Sequence, residues 1–163
     1  MLDDGVRSIS DRVYGVEAYV NKLERENDGI KILVASATKA RKFENGTAGR
    51  FFDLRWSFAR RAVVVLTDEQ LFCRDWVIPL KEVKEASVSI MRSMIGSRAM
   101  ILSITKHDGT SYWFGLDYNS AWLEQDVLDI EKQPMNRAVV ILRGVLRIGL
   151  LGYLAYTLFQ ILT

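Results

Sequence analysis

The apolar positions near the start of the chain recur at a helical spacing. Between residues 6 and 23, apolar side chains follow one another at steps of three and four, with polar residues between them. The members of this stripe are Val6, Ile9, Val13, Val16, Val20 and Leu23. The spacing predicts an amphipathic helix that ends in the turn-forming run Asn27-Asp28-Gly29. Because the stripe covers fewer than three heptads, docking on the chain's own domain is the favoured interpretation and a self-associating coiled coil is the alternative.

From residue 30 onward the pattern changes to short apolar runs separated by turn residues, which is typical of antiparallel β structure. The predicted strands are 30–38, 62–66, 71–73, 76–78, 83–91, 99–105 and 111–116. Pro79 ends the fourth run or marks a sheet edge, and Asp108-Gly109 supplies a hairpin turn. A helix is predicted over 117–130, with Trp122 on its apolar face and Asn119 or Ser120 as its cap.

A long apolar stretch occupies the C-terminal end. Residues 148–163 are sixteen positions without a charge, which is ~24 Å of helix against a hydrocarbon core of ~30 Å. Extending the helix back over 144–147 approaches that thickness and places Arg147 near the boundary, where its long side chain reaches the head groups. Arg137, Arg143 and Arg147 all precede the stretch. The positive-inside tendency therefore places the body of the chain on the cytoplasmic side.

Small and polar side chains recur on one side of this predicted helix. They are Gly149, Gly152, Tyr153, Tyr156 and Gln160, and such a face is typical of membrane helices that pack on a partner helix. A membrane-spanning or re-entrant anchor is the favoured interpretation. A helix lying in the membrane interface and a water-soluble helix buried in an oligomer are the alternatives.

Charge is unevenly distributed along the chain. The net charge is only +2, but residues 30–61 sum to +6, residues 62–133 sum to −4, and no acidic residue follows position 133. The predicted connection 39–61 interleaves cations with aromatic side chains. The candidate lipid-binding or partner-binding residues there are Lys39, Arg41, Lys42, Arg50, Phe51, Phe52, Arg55, Trp56, Arg60 and Arg61.

Cations attract anionic head groups and aromatic rings favour the membrane interface, so contact with a membrane surface is the favoured role of this connection. A protein-docking surface is one alternative. The other is that the aromatic residues cap the domain while the cations are simply solvated. The acidic body and the apolar tail argue against nucleic acid as a partner.

The inventory of reactive side chains is small. One cysteine, Cys73, excludes an internal disulfide, and together with the one histidine, His107, it cannot form a Cys/His zinc cage. No phosphate-binding loop or nucleophile elbow is present in the sequence. We therefore expect no enzyme activity, no cofactor, no metal and no small-molecule substrate.

The middle of the chain resembles the pleckstrin-homology-like superfamily, and it is most similar to the bacterial PH and GRAM branches. The resemblance is carried by RRAVVVLTDEQLFCRDWVIPLKEVKEASVSI, then AMILSITKHDGTSYWFGL, then a tryptophan-bearing helix. The matching positions are Leu66, Thr67, Asp68, Glu69, Gln70, Leu71, Phe72, Ile78, Pro79, Leu80, Val83, Asp108, Gly109, Phe114 and Trp122. The match covers roughly residues 30–132 and departs from the family in its oversized first loop, 39–61.

The resemblance implies an α+β fold: a bent, seven-stranded antiparallel sandwich or barrel capped by a C-terminal helix. In lipid-binding members the first loop grips phosphoinositide phosphates. Here Lys39, Arg41 and Lys42, with Arg60 or Arg61, occupy the matching positions. The fold is a scaffold for binding lipids, peptides or proteins and does not itself define a function.

These observations predict three parts: an N-terminal amphipathic helix (1–29), a PH-like domain (30–132) and a C-terminal membrane-anchoring helix (133–163). The favoured function is a non-catalytic adaptor or accessory subunit of a membrane protein complex, single-pass or peripheral, with most of the chain on the cytoplasmic side. Its expected partners are membrane lipids and other membrane-protein subunits. The alternative is a soluble homo-oligomeric scaffold assembled through its terminal helices.

Overall fold

The computed structural model describes residues 9–44, 59–92 and 98–133, all of which belong to one compact unit, Met1–Gln133. Its helices are α1 (Val16–Glu26) and α2 (Ala121–Glu124). Its strands are β1 (Ile32–Phe43), β2 (Arg60–Thr67), β3 (Gln70–Cys73), β4 (Trp76–Pro79), β5 (Val83–Arg92), β6 (Arg98–Lys106), β7 (Ser111–Asp117) and β8 (Ile130–Lys132). A 3₁₀ turn, Leu80–Glu82, connects β4 to β5.

The eight strands form one sheet in the order β4-β3-β2-β1-β7-β6-β5-β8. Every neighbouring pair is antiparallel except β5 and β8, which run parallel. The α+β class and the seven predicted strands are confirmed, and β4 is an edge strand that ends at Pro79. The Asp-Gly hairpin is also confirmed, since Gly109 has a φ of 85° between β6 and β7.

The first strand is longer than predicted, so the expected connection 39–61 is wrong at both ends. Residues 39–43 continue β1, and Arg60 and Arg61 already belong to β2. Lys39 pairs with Arg61 on one side and with Gly115 on the other. Strand β7 pairs with all of residues 39–43 and β2 pairs with residues 39 and 40, so this polar segment is part of the sheet and does not form a loop.

The continuous apolar run in β2 reflects burial on both faces of the strand. Ala62, Val64 and Leu66 point into the main core, whereas Val63 and Val65 pack in a second cluster beneath α1. Alternate strand residues point to opposite faces, so only a strand covered on both sides needs such a run.

The amphipathic stripe docks through its second half only. Val16 and Leu23 of α1 are buried against the outer face of the sheet, but Ile9 and Val13 are 66% and 75% exposed. Residues 9–14 are helical, and Gly15, with a φ of 67°, separates them from α1. Because this left-handed residue changes the chain direction, the apolar residues before and after Gly15 no longer lie on one helix face.

The helix predicted over 117–130 is wrong except for one turn inside that range. Only Ala121–Glu124 is helical. The side-chain oxygen of Gln125 accepts hydrogen bonds from the N–H groups of Val127 and Leu128 at 3.1 and 2.8 Å, and its amide donates to the Leu128 carbonyl at 2.8 Å. These bonds satisfy backbone groups that a helix would have paired, so the chain turns and forms β8.

Several predictions fall outside the described residues. They concern the C-terminal helix with its packing face and arginines, and positions 45–58 of the first connection with Arg50, Phe51, Phe52, Arg55 and Trp56. In the part of the chain that the structure describes, no helix is long and apolar enough to span a bilayer.

Candidate functional site

Five of the predicted binding cations lie on the paired ends of β1 and β2. Lys39 is directly opposite Arg61, and Arg60 is opposite Ala40. Arg41 and Lys42 follow on β1. Like charges that face each other across a strand pair repel, so this arrangement favours an anionic group nearby.

Strand alternation divides the five cations between two faces. Ala40 and Ala62 point into the main core, so Lys42 and Arg60, each two residues away, share that inner face at its open end. We call Lys42 and Arg60 the rim cations. The remaining three cations, Lys39, Arg41 and Arg61, point to the outer face that carries α1, and we call them the outer cations. The single cluster predicted from sequence is therefore two groups.

The rim cations line a shallow cavity of about 400 Å³ together with Asp75 and Trp76, and the outer cation Arg41 also lines it. The Arg60 Nη1 lies 3.5 Å from Asp75 Oδ1, and its guanidinium carbon lies 6.0 Å from the centre of the Trp76 ring. The Lys42 Nζ lies 3.1 Å from Glu44 Oε1, which raises the pKa of the lysine. Exposed ion pairs of this kind contribute little to stability, so an external anion can replace either carboxylate.

The outer cations have different surroundings from one another. The Arg41 guanidinium carbon lies 4.7 Å from the Phe43 ring centre, and that ring lies 4.9 Å from the ring of Trp113. Arg41 thus belongs to a cation–aromatic stack on β1 and β7. Lys39 lines a separate cavity of about 250 Å³ beneath the helical residues 9–14.

The third outer cation, Arg61, lines a groove between α1 and β2 with a volume of about 770 Å³. Lys22 and Arg74 line the same groove. Neither residue was predicted from the sequence, because they lie on α1 and on the β3–β4 turn, far from Arg61 along the chain. No local pattern connects the three positions.

The other reactive groups serve the fold. Cys73 is 1% exposed, and burial raises its pKa to about 12, which keeps the thiol protonated. Lys106 Nζ lies 2.8 Å from Glu82 Oε2 and 3.1 Å from Asp108 Oδ2, and these contacts tie the β6–β7 hairpin to the 3₁₀ turn. Among the described residues, no group of three or more His, Cys, Asp or Glu side chains is placed to hold a metal ion.

The chain matches no family model, and a search of curated proteins finds no significant match. The resemblance to the pleckstrin-homology-like superfamily therefore stays a prediction. The described surface carries arginine side chains beside aromatic rings, Arg41 at Phe43 and Arg60 at Trp76.

Proposed function

We propose that this chain is a membrane-associated, non-catalytic adaptor or accessory subunit whose sheet domain meets anionic lipid head groups through the rim cations. The observation that carries the proposal is the register of β1 with β2 and β7. Arg60 is opposite Ala40 and Lys42 is opposite Tyr112, so both cations lie beside the ends of the connection whose sequence contains Phe51, Phe52 and Trp56. Cations near an anionic leaflet contribute ~1 kcal/mol each, and aromatic side chains favour the same interface.

The sheet order supports a PH-like scaffold for this role. Strands β1–β4 form one antiparallel meander, β5–β7 form a second, and β1 pairs with β7 to join them. Two features depart from the expected pattern: α2 has four residues instead of a full capping helix, and β8 adds an eighth strand.

The apolar C-terminal stretch complements the rim cations. An inserted tail holds the domain at the membrane, and tethering raises the local concentration of head groups around the cations without any new contact. A permanent anchor also removes the need for recruitment, which fits a subunit of a stable membrane complex better than a transient lipid sensor.

Membrane extraction tests the anchor. We expect the full chain to stay in the membrane pellet after alkaline carbonate washing, and a chain that ends at Gln133 to be released. Release of the full chain by the same wash would contradict the proposal.

Vesicle flotation tests the rim cations in the shortened chain. We expect Lys42→Glu/Arg60→Glu to lose binding to phosphatidylserine-containing vesicles. The control Lys84→Glu/Lys132→Glu makes the same charge change at exposed positions on β5 and β8, and it should retain binding. Equal losses in both double variants would mean that only net charge matters.

A second candidate function, a homo-oligomeric scaffold, is favoured by one observation. Ile9 and Val13 are four residues apart in a helical segment and are both exposed, so they form an unpaired apolar edge. Analytical ultracentrifugation of the chain with Ile9→Lys tests this function. An oligomer that dissociates in the variant supports the scaffold, and a monomeric parent chain excludes it.

A further inference from the structure

We infer that the groove between α1 and β2 is a docking site for an acidic peptide segment of a partner protein, with an apolar side chain as its anchor. The inference deepens the proposed adaptor function, on which its biological meaning rests. It assigns protein recognition to a surface different from the rim cations. The groove is formed by α1, the start of β2 and the β3–β4 turn.

The floor of the groove is apolar and its walls are basic. Ala18 and Val63 supply apolar lining, and Val13 stands at one side with 75% of its surface exposed. Arg61 enters from β2 and Arg74 enters from the turn between β3 and β4. An acidic segment with one apolar side chain matches this combination of cations around an apolar floor.

The cations of the groove are available to a ligand. Lys22 reaches Glu26 Oε1 at 3.7 Å, but this pair is exposed and weak. Across residues 9–44, 59–92 and 98–133, neither Arg61 nor Arg74 forms an ion pair. The described residues that line the groove include no carboxylate. Among the described residues that line the groove, Arg61 and Arg74 therefore have no ion-pair partner, while Lys22 has Glu26 on the same helix.

The β3–β4 turn sets the position of Arg74. Its φ is 54°, and it is the one described residue other than glycine with a positive φ. Cys73 pairs with Trp76, so Arg74 is the first central residue of a two-residue hairpin, a position at which such turns require a positive φ. The Tyr19 hydroxyl donates to the Arg74 carbonyl at 3.3 Å, which fixes the turn against α1. The turn thus holds Arg74 beside α1 at the groove.

The apolar lining of the groove that a ligand can reach lies near α1. Val63 lines the groove but is 5% exposed because it packs in the cluster beneath α1, whereas Val13 and Ala18 are exposed. The groove also has nearly twice the volume of the rim cavity, about 770 against about 400 Å³. This volume suits a short peptide segment with its anchoring side chain.

Fluorescence anisotropy with the full chain in nonionic detergent tests the site. The probe is a fluorescein-labelled peptide of glutamates with a central pair of leucines, and its lysine counterpart serves as the peptide control. We expect saturable binding of the acidic peptide only. Arg61→Glu/Arg74→Glu should weaken this binding by about tenfold or more, because the charge pairs become repulsive.

Three further variants separate the groove from general charge and from misfolding. Arg74→Gly removes the cation while relieving the turn, so weaker peptide binding by this variant cannot be attributed to unfolding. Ala18→Trp fills the groove from an exposed helix position without changing charge, and we expect it to block the peptide. Lys84→Glu/Lys132→Glu should bind the peptide within about twofold of the parent chain.

The inference is overturned if the acidic peptide does not bind, or if the control pair weakens it as much as Arg61→Glu/Arg74→Glu does. It is also overturned if Ala18→Trp abolishes vesicle binding or dissociates an oligomer while peptide binding is unchanged. Loss of vesicle binding in Ala18→Trp would assign the groove to lipid, and dissociation of an oligomer would assign it to another copy of the chain. Failure of the proposed function looks different: carbonate releases the full chain, yet groove-dependent peptide binding persists.

Discussion

Trp122 links the helical turn α2 to the middle of β1. Its indole N–H donates to the Ser36 hydroxyl at 3.0 Å, and the two side chains are 0% and 4% exposed. A buried tryptophan needs a hydrogen-bond acceptor for its N–H, and a buried serine needs a hydrogen-bond partner for its hydroxyl. The hydrogen bond satisfies both requirements.

Ser36→Ala should therefore destabilise the fold by about 1–3 kcal/mol, because the indole N–H stays buried without an acceptor. Urea unfolding followed by tryptophan fluorescence measures the change. Ser120→Ala is the matched control, since Ser120 is exposed and makes no capping bond. If the two substitutions cost the same, the buried hydrogen bond does not contribute.

The Asp108 carboxylate should make the stability of the fold depend on pH. The N–H of Thr110 donates to its carboxylate at 2.8 Å and Lys106 approaches it at 3.1 Å, so its pKa falls from 3.8 to about 2. The unfolded chain binds the proton first as pH falls, so this contribution is present above about pH 4 and is lost toward pH 2. Asp108→Asn should flatten the fall in the urea midpoint over this interval. An unchanged pH profile in the variant would contradict the assignment.

Elements formed by local pattern were predictable from the sequence, and elements fixed by distant contacts were not. The alternation in β6 and β7 and the Asp-Gly turn between them are local, and they appear where predicted. The extension of β1 depends on β2 and β7 on either side, which are distant in the sequence. The end of α2 is an exception, since it depends on local bonds from Gln125 to Val127 and Leu128 that the apolar spacing did not indicate. Lys39 and Lys42 lie on opposite faces because side chains alternate along a strand. This could be predicted only if β1 were known to include both residues.

The two parts of the amphipathic stripe should contribute differently to the free energy of unfolding. Leu23 and Val13 belong to the same stripe in the sequence, but they lie on opposite sides of the left-handed Gly15 and only Leu23 is buried. Leu23→Ala should cost about 2–3 kcal/mol, whereas Val13→Ala should change the free energy of unfolding by less than about 0.5 kcal/mol. Chemical denaturation of both variants checks the difference. Similar costs would mean that the stripe packs along its whole length.

At the scale of the whole molecule, the described core lies within Met1–Gln133. A chain that ends at Gln133 should therefore unfold in one cooperative transition. A chain that ends at residue 129 loses β8 and the contact of Ile130 with the core, and it should be less stable by about 1–2 kcal/mol. Circular dichroism during urea titration compares the two chains. Equal midpoints would show that β8 contributes nothing to stability.

The two candidate binding surfaces lie on different parts of the domain. The rim cations lie at the end of β1 and the start of β2, whereas the groove lies between α1 and β2, so the two candidate surfaces use different residues. The sequence indicated a basic surface but not this separation, because Lys22, Arg61 and Arg74 meet only after the chain folds.

The short parallel strand β8 has a mechanical consequence. Three residues pair with β5, and the N–H of Gln133 adds one further bond to the Val88 carbonyl at 2.9 Å. Tension applied at Gln133, the last described residue, is borne first by these few bonds. Strand β8 then detaches before the seven antiparallel strands do, and each residue released adds up to about 3.3–3.6 Å of extended chain. The antiparallel strands keep their pairing while the released segment gains reach.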